Sequence, residues 1–213
     1  MRLRLLLLGS LGACAACVGV DGEGGVEQSS RAVAAFSVLG VRDALVVEVS
    51  RGAPSASLSG DRSLIEEIRL RVDGDRLDVL TRDGAVLLPE HPLVVRLTTP
   101  ALEVVEVTEA SVLRVQGVAG AALRVTAREG SAVRAEGAVD TLVLGASSVA
   151  DVDTRDLTAR EVVVDAGGAA DLRVRATGGV RGRLTENAEL WVEGGGSVEA
   201  LEVERDAVVR RVP

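Results

Sequence analysis

The 213-residue chain contains no lysine and no tyrosine, and only one phenylalanine, one tryptophan, one histidine and one methionine. Each shortage closes off a class of function. The one histidine, His91, sits between Pro89 and Pro92 and reads as an exposed turn residue. Without a Ser or Cys motif to partner it, it makes no nucleophilic triad, which needs a positioned base. The two cysteines, Cys14 and Cys17, are too few for a structural zinc site. As a C-x-x-C pair they would need a thioredoxin-like βαβ setting for redox work, and no such pattern follows. No cofactor is implied, and no metal. The formal net charge of −8 argues against a nucleic-acid partner, which needs a basic footprint. No apolar run reaches the roughly 18 residues that a membrane-spanning helix requires.

What is present begins with a leader. Arg2 and Arg4 precede an apolar run from Leu5 that continues through Leu11, and the stretch ends Leu11-Gly12-Ala13-Cys14. This is a signal-peptide pattern that resembles the lipobox of bacterial lipoproteins, in which the cysteine becomes the lipidated first residue. Residues 1–13 are therefore expected to be removed, and Cys14 to carry the lipid that anchors the chain to a membrane without spanning it. Ala15 does not match the Asp signal that retains such proteins at the inner membrane, so the outer membrane of a bacterial envelope is the expected location. Residues 14–30 are rich in Gly and acidic residues and read as a flexible tether.

From Leu102 to Val212 one phrase is written about six times. Strand starts fall at Leu102, Leu123, Leu142, Val162, Val180 and Leu201, and small residues open a second strand at Ser111, Ser131, Ala150, Ala170, Ala188 and Ala207. Both series keep a period near 20 residues. That period, with β-branched residues and no helical spacing, predicts stacked coils that share one core. The fold class expected is all-β, a single-stranded right-handed parallel β-helix. The aliphatic column Leu113, Val133, Val152, Leu172, Leu190 and Val209 is placed inside. Strand side chains alternate faces, so the flanking columns point to solvent. One reads Val112, Ala132, Asp151, Asp171, Glu189, Val208; the other reads Arg114, Arg134, Asp153, Arg173, Trp191, Arg210. The second is a candidate binding stripe for an anionic partner, or else a solvated face whose charges pair. Trp191 is expected to point outward. Arg210, Arg211 and Pro213 put charge and a proline on the last edge, which discourages strand addition.

Residues 31–80 differ from the coils and read as a cap, with the repeats proper occupying 93–213. Phe36-Ser37-Val38, Leu45–Val49 and Ala56–Ser59 alternate like strands, and Gly52-Ala53-Pro54 marks a turn. Ser63 and Glu66 have capping-box spacing ahead of one short helix that would bury Leu64, Ile65 and Ile68. Asp73-Gly74 signals a hairpin. Asp73, Asp75 and Asp78 only loosely resemble a calcium loop, and a turn is the better reading. A loop is expected at Leu88–Pro92 and a strand at Leu93–Leu97.

The series Arg31-x-Val33-x-x-Phe36, Val46–Val49, Gly60-Asp61-x-x-Leu64-Ile65-x-x-Ile68 and Val72-Asp73-Gly74-x-x-Leu77 resembles the putative auto-transporter adhesin, head GIN domain family. The downstream coils are similar to it as well, so the resemblance covers residues 29–213. It implies a secreted or lipid-anchored bacterial β-solenoid and brings no catalytic residues. Turns in this chain often carry Ala or Arg-Glu where Ser-Gly pairs are more usual. The expectation is a non-enzymatic envelope lipoprotein, a binding or scaffold module whose partner is an envelope protein or glycan. Two rivals remain. One is a carbohydrate-active solenoid enzyme using Asp151, Asp153 and Asp156, since paired carboxylates run glycoside hydrolysis. The other is a structural spacer without a ligand.

Overall fold

The computed structural model describes residues 19–82, 85–204 and 206–212. The leader, the lipobox with Cys14, Cys17 and Pro213 lie outside the described residues. The chain winds into a β-solenoid of about 5 turns with ~20 residues per turn and one short helix. In order it runs β1 (Gly19–Asp21), β2 (Val26–Arg31), β3 (Val38–Val41), β4 (Val46–Arg51), β5 (Ser55–Asp61), α1 (Arg62–Ile65), β6 (Ile68–Asp73), β7 (Arg76–Thr81) and β8 (Val86–Leu88). There follow β9 (Val94–Thr99), β10 (Val104–Val107), β11 (Val112–Ala127), β12 (Ala132–Ala146), β13 (Asp151–Ala166), β14 (Asp171–Leu184), β15 (Glu189–Glu193), β16 (Ser197–Val203) and β17 (Val208–Arg211).

The long strands β11 to β14 each line a front sheet, bend at an irregular corner, and continue into a back sheet. The front columns stack as their spacing predicts: Leu113 on Val133, Val152, Leu172, Leu190 and Val209. All but the last are buried, and Val209 is only partly covered. A slip of one residue would turn every one of these side chains to water. Burying each aliphatic contributes about 1.5–3 kcal/mol, so the register is strongly held. On the back sheet, Leu123, Leu142, Val162 and Val180 align, but the outer two markers do not. Leu201 stacks on Gly182, and Leu102 lies before β10, whose Val104 faces Arg124. Spacing alone could not place them, because the corners absorb a variable number of residues.

The turns from back sheet to front sheet form their own ladder. Each has two consecutive residues in the left-handed region: Asp43-Ala44, Glu109-Ala110, Glu129-Gly130, Ser148-Val149, Gly168-Ala169 and Glu186-Asn187. The amides of Ala44, Ala110, Gly130, Val149 and Ala169 each donate to a carbonyl of the next turn. The first pair is followed by buried Leu45 and the other five by a small buried residue: Ser111, Ser131, Ala150, Ala170 and Ala188. Ser131 uses its hydroxyl there, donating to the Val107 carbonyl at 3.0 Å and accepting from the Arg128 amide at 3.0 Å.

The N-terminal part contains two further coils, and they do not stack in chain order. The back sheet runs β6-β7-β3-β10-β11, and the front sheet runs β2-β5-β9-β4-β11. The β3–β4 coil is thus held between the β7–β9 coil and the β10–β11 coil. Arg76 fastens this arrangement. Its guanidinium pairs with Asp78 at 2.8 Å and with Glu106 on β10 at 2.7 Å. It passes over Gly40, where an added Cβ would lie 2.2 Å from Asp78 Oδ1 and 2.7 Å from Arg76 Nη2.

Antiparallel β2, β5 and β6 with α1 close the N-terminal end, burying Leu64, Ile65 and Ile68. Two expectations are corrected here. Part of the stretch read as a tether forms β1, paired with β8, and most of β2, paired with β5. Its composition looked like coil because β2 is mostly exposed along its length. The capping box does not form: Asp61 is the N-cap residue and makes no side-chain cap bond. Ser63 instead accepts from the Glu23 amide at 2.9 Å and donates to the Asp21 carbonyl at 3.0 Å, fastening the N-terminal strands to the helix. Arg31 donates to the carbonyls of Ile65 and Ile68 at 2.7 and 2.6 Å, satisfying groups that so short a helix leaves open.

Candidate binding site

The stripe is assembled as its column predicts, with Arg114, Arg134, Asp153, Arg173, Trp191 and Arg210 on consecutive rungs of the front sheet. Most of its charge is consumed within the protein. Arg173 pairs with Asp151 at 3.0 Å and Asp171 at 2.8 Å, and Arg175 pairs with Glu193 at 3.0 Å. Arg155 grips Asp153 with two bonds of 3.0 and 2.7 Å, and Arg210 pairs with Glu189. Arg114 reaches Glu48 at 3.6 Å. Among the described residues Arg134 has no ion pair; it borders a shallow groove of about 310 Å³ with Arg114, Asp153, Arg155 and Asp156.

Trp191 does sit on the outward face, but it is half-buried, with the Arg210 guanidinium 5.0 Å from the ring centroid. Its Nε1 is buried without a hydrogen-bond partner among the described residues. Such stacking is worth about 0.5–1 kcal/mol and makes the ring a packing element of the last coils more than an open platform.

Of the three carboxylates offered for hydrolysis, Asp151 and Asp153 are held by arginines, while Asp156 has no ion pair among the described residues. The hydrogen bond from Arg155 holds Asp153 below the usual carboxylate range despite partial burial. Burial pushes Asp171 up, with the Arg173 charge opposing it. A general acid needs a free, raised carboxyl near the scissile bond, and Asp151 and Asp153 are instead tied to arginines. Asp75 accepts from the Ser37 hydroxyl at 2.9 Å and Asp78 is bound to Arg76. Among the described residues no three His, Cys, Asp or Glu side chains are grouped to hold a metal. His91 is exposed and its Nδ1 lies 2.6 Å from Oδ1 of buried Asp61. Asp61 Oδ2 also accepts the amides of Glu90 and His91 at 2.9 and 3.1 Å. Burial pushes the Asp61 carboxyl up, but these three bonds outweigh it and leave it below its ordinary range.

A further cavity lies where the segment from Ala85 to Val94 passes over the edge of the turn ladder. It is a groove of about 600 Å³ lined by Leu45, Val46, Val86, Leu87, Pro89, Pro92 and Leu93, with Asp43, Glu109 and Arg114 also in its lining. Its size falls in the ordinary range for small-molecule sites. Thr81 donates to Asp43 Oδ2 through its amide at 2.7 Å and its hydroxyl at 3.1 Å, and the Asp43 amide donates to Glu109 Oε2 at 3.3 Å. A side-chain hydrogen bond to Asp43, then burial and the Asp43 charge, push the Glu109 carboxyl up.

Of these groove residues only Arg114 stood out in the sequence, and it did so as part of the stripe. A faint signal is visible once the repeat is extended backwards. Asp43-Ala44 and Glu109-Ala110 occupy the turn position of Glu129-Gly130 and Glu186-Asn187, so acids recur at the first left-handed residue. Nothing in the spacing says that a segment more than forty residues downstream of Asp43 will roof over it.

Fold and surface together define a β-solenoid that displays self-paired charged faces and an apolar groove. The family described as putative auto-transporter adhesin, head GIN domain, matches residues 35–196, more than half of the chain, and the chain belongs to it. It is similar to the crystal structure of a putative adhesin from Bacteroides fragilis, with a TM-score of 0.72 at 13% identity over 91% of this chain and 100% of the other. A putative lipid binding protein from Parabacteroides distasonis is also similar, with a TM-score of 0.56 at 13% identity over 92% and 100%. A putative adhesin from the same organism has a TM-score of 0.50 at 14% identity over 91% and 100%. At these identities the likeness is one of fold. No curated protein matches the chain.

Proposed function

We propose that this protein is a non-catalytic recognition module held by a lipid on Cys14 at the bacterial cell envelope, on the outer membrane. The observation that carries the reading is the apolar groove. One of its walls includes β8, the strand that pairs with β1, so the groove stands where the chain arrives from its N-terminal segment. A rigid stack that spends most of its outward charges on itself, with an apolar recess, suits display of a binding surface better than chemistry. A related fold described as a putative lipid binding protein supports an apolar ligand, and the family's adhesin description supports a recognition role.

The test has two arms in the native host. Metabolic labelling with a fatty acid is expected to mark the wild-type chain and not Cys14→Ser, and the labelled chain to fractionate with outer membrane. Unlabelled wild-type protein would overturn the anchor. Capture from envelope extract is expected to retain partners that Leu87→Ser loses. Loss in Asp151→Asn of a polysaccharide-degrading activity would replace this reading with an enzyme.

A second reading rests on Arg134, which has no ion pair among the described residues and lies beside Arg114 and Arg155. In that reading the stripe of Arg114, Arg134, Asp153, Arg173, Trp191 and Arg210 takes an anionic glycan. Binding on an array of acidic glycans, lost in Arg134→Ala, would favour it.

A further inference from the structure

The lining of the groove is of two kinds. Leu45, Leu87, Leu93 and the two prolines are apolar, and Asp43 and Glu109 are acids joined by the 3.3 Å bond from the Asp43 amide. The lining cation, Arg114, already faces Glu48 at 3.6 Å. The polar part of the lining is therefore acidic, and its acids crowd each other. Thr81 occupies Oδ2 of Asp43 and leaves the other oxygen without a hydrogen bond among the described residues. A cation that settles between two neighbouring carboxyls favours the charged form of both. An ammonium group is such a cation, with three donors to distribute.

We infer that the groove binds an amphipathic amine, with its apolar body along Leu45, Leu87 and Leu93 and its ammonium group at Asp43 and Glu109. The complementarity covers both kinds of lining: apolar surface meets apolar surface, and the head group meets the acids. A carboxylate head would face Asp43 and Glu109 with like charge, and an alcohol would leave the pair as it is. The inference rests on reading the groove as the recognition site and adds the chemical class of what it takes.

The chain from Val18 onward keeps every strand described above and serves for the test, its fold checked by circular dichroism. Octylamine, octanol and octanoate are titrated calorimetrically below their aggregation concentrations. Octylamine is expected to bind at least tenfold more tightly than the other two. Lengthening the amine by one methylene should tighten binding by about fourfold, from the free energy of burying a CH₂. Glu109→Gln should erase the preference for the amine while leaving octanol unchanged, and Asp43→Asn, which keeps an acceptor for Thr81, should do the same. Leu87→Ser should weaken all three ligands. Equal binding of the three, or a preference that survives both acid substitutions, would overturn the head-group assignment and leave the groove as a site. Absence of saturable binding by any of them would overturn both.

Discussion

Val149 stands at φ 65° with its side chain 69% exposed. A β-branched residue there is strained by about 1–2 kcal/mol, and so exposed a side chain buries little to offset it. Val149→Gly is expected to stabilise the protein by about 1 kcal/mol and raise the midpoint of thermal unfolding by roughly 2–4 °C; an unchanged midpoint would show that the turn ladder absorbs the strain. Gly182 makes the opposite case. It has φ 126°, and a Cβ there would lie 1.9 Å from the Val164 carbonyl oxygen. Gly182→Ala should cost at least about 1–3 kcal/mol, read as a drop in the denaturant midpoint. Asp61 gives a pH signature. Its folded carboxyl lies below its ordinary value because of His91 and two amides, against the cost of burial. The stability it lends is therefore complete above the unfolded value near 3.9 and is lost as pH falls through the lower folded value. The difference in denaturant midpoint between wild type and Asp61→Asn should be full at pH 6 and shrink below pH 4.

Among the elements, β11 to β14 set the fold and the flanking strands adapt to them. Leu172 lies mid-stack and is fully buried, so Leu172→Ala should cost about 2–5 kcal/mol. Val209→Ala, on the partly covered last coil, should cost less in the same denaturation series. This is also the part the sequence made legible. Constant front-sheet turns keep Ser111, Leu113 and their counterparts in phase from Val112 to Val208, so register and inward face follow from counting. Corner lengths vary, which displaced Leu102 and Leu201. The β3–β4 coil was illegible as to position, because alternation in Val46–Val49 says that a strand exists and not which strand it joins. The groove was hidden for the same reason: Asp43, Glu109 and Leu87 meet only through long-range pairing. Trp191 was placed on the correct face, but its cover by Arg210 depends on a rotamer that no spacing encodes.

At the scale of the molecule, the two ends differ. The N-terminal end is closed by α1 and antiparallel strands, whereas Val198, Leu201 and Val209 at the other end are only partly covered. Stability in a stack is close to a sum of neighbour terms, so amide hydrogen exchange should be slowest in 112–192 and fastest in 197–211; uniform protection would indicate one cooperative unit. The crossing of coils has a consequence for how the protein is made. β3 cannot find both of its neighbours until β7 and β10 exist, and β4 waits for β9 and β11. A chain emerging N-terminus first therefore covers one side of β3 with β7 and of β4 with β9, and leaves the other side open until β10 and β11 arrive. The first repeat strand is thus the clasp of the N-terminal windings, and the groove, whose lining ends at Arg114, is complete once that strand is seated.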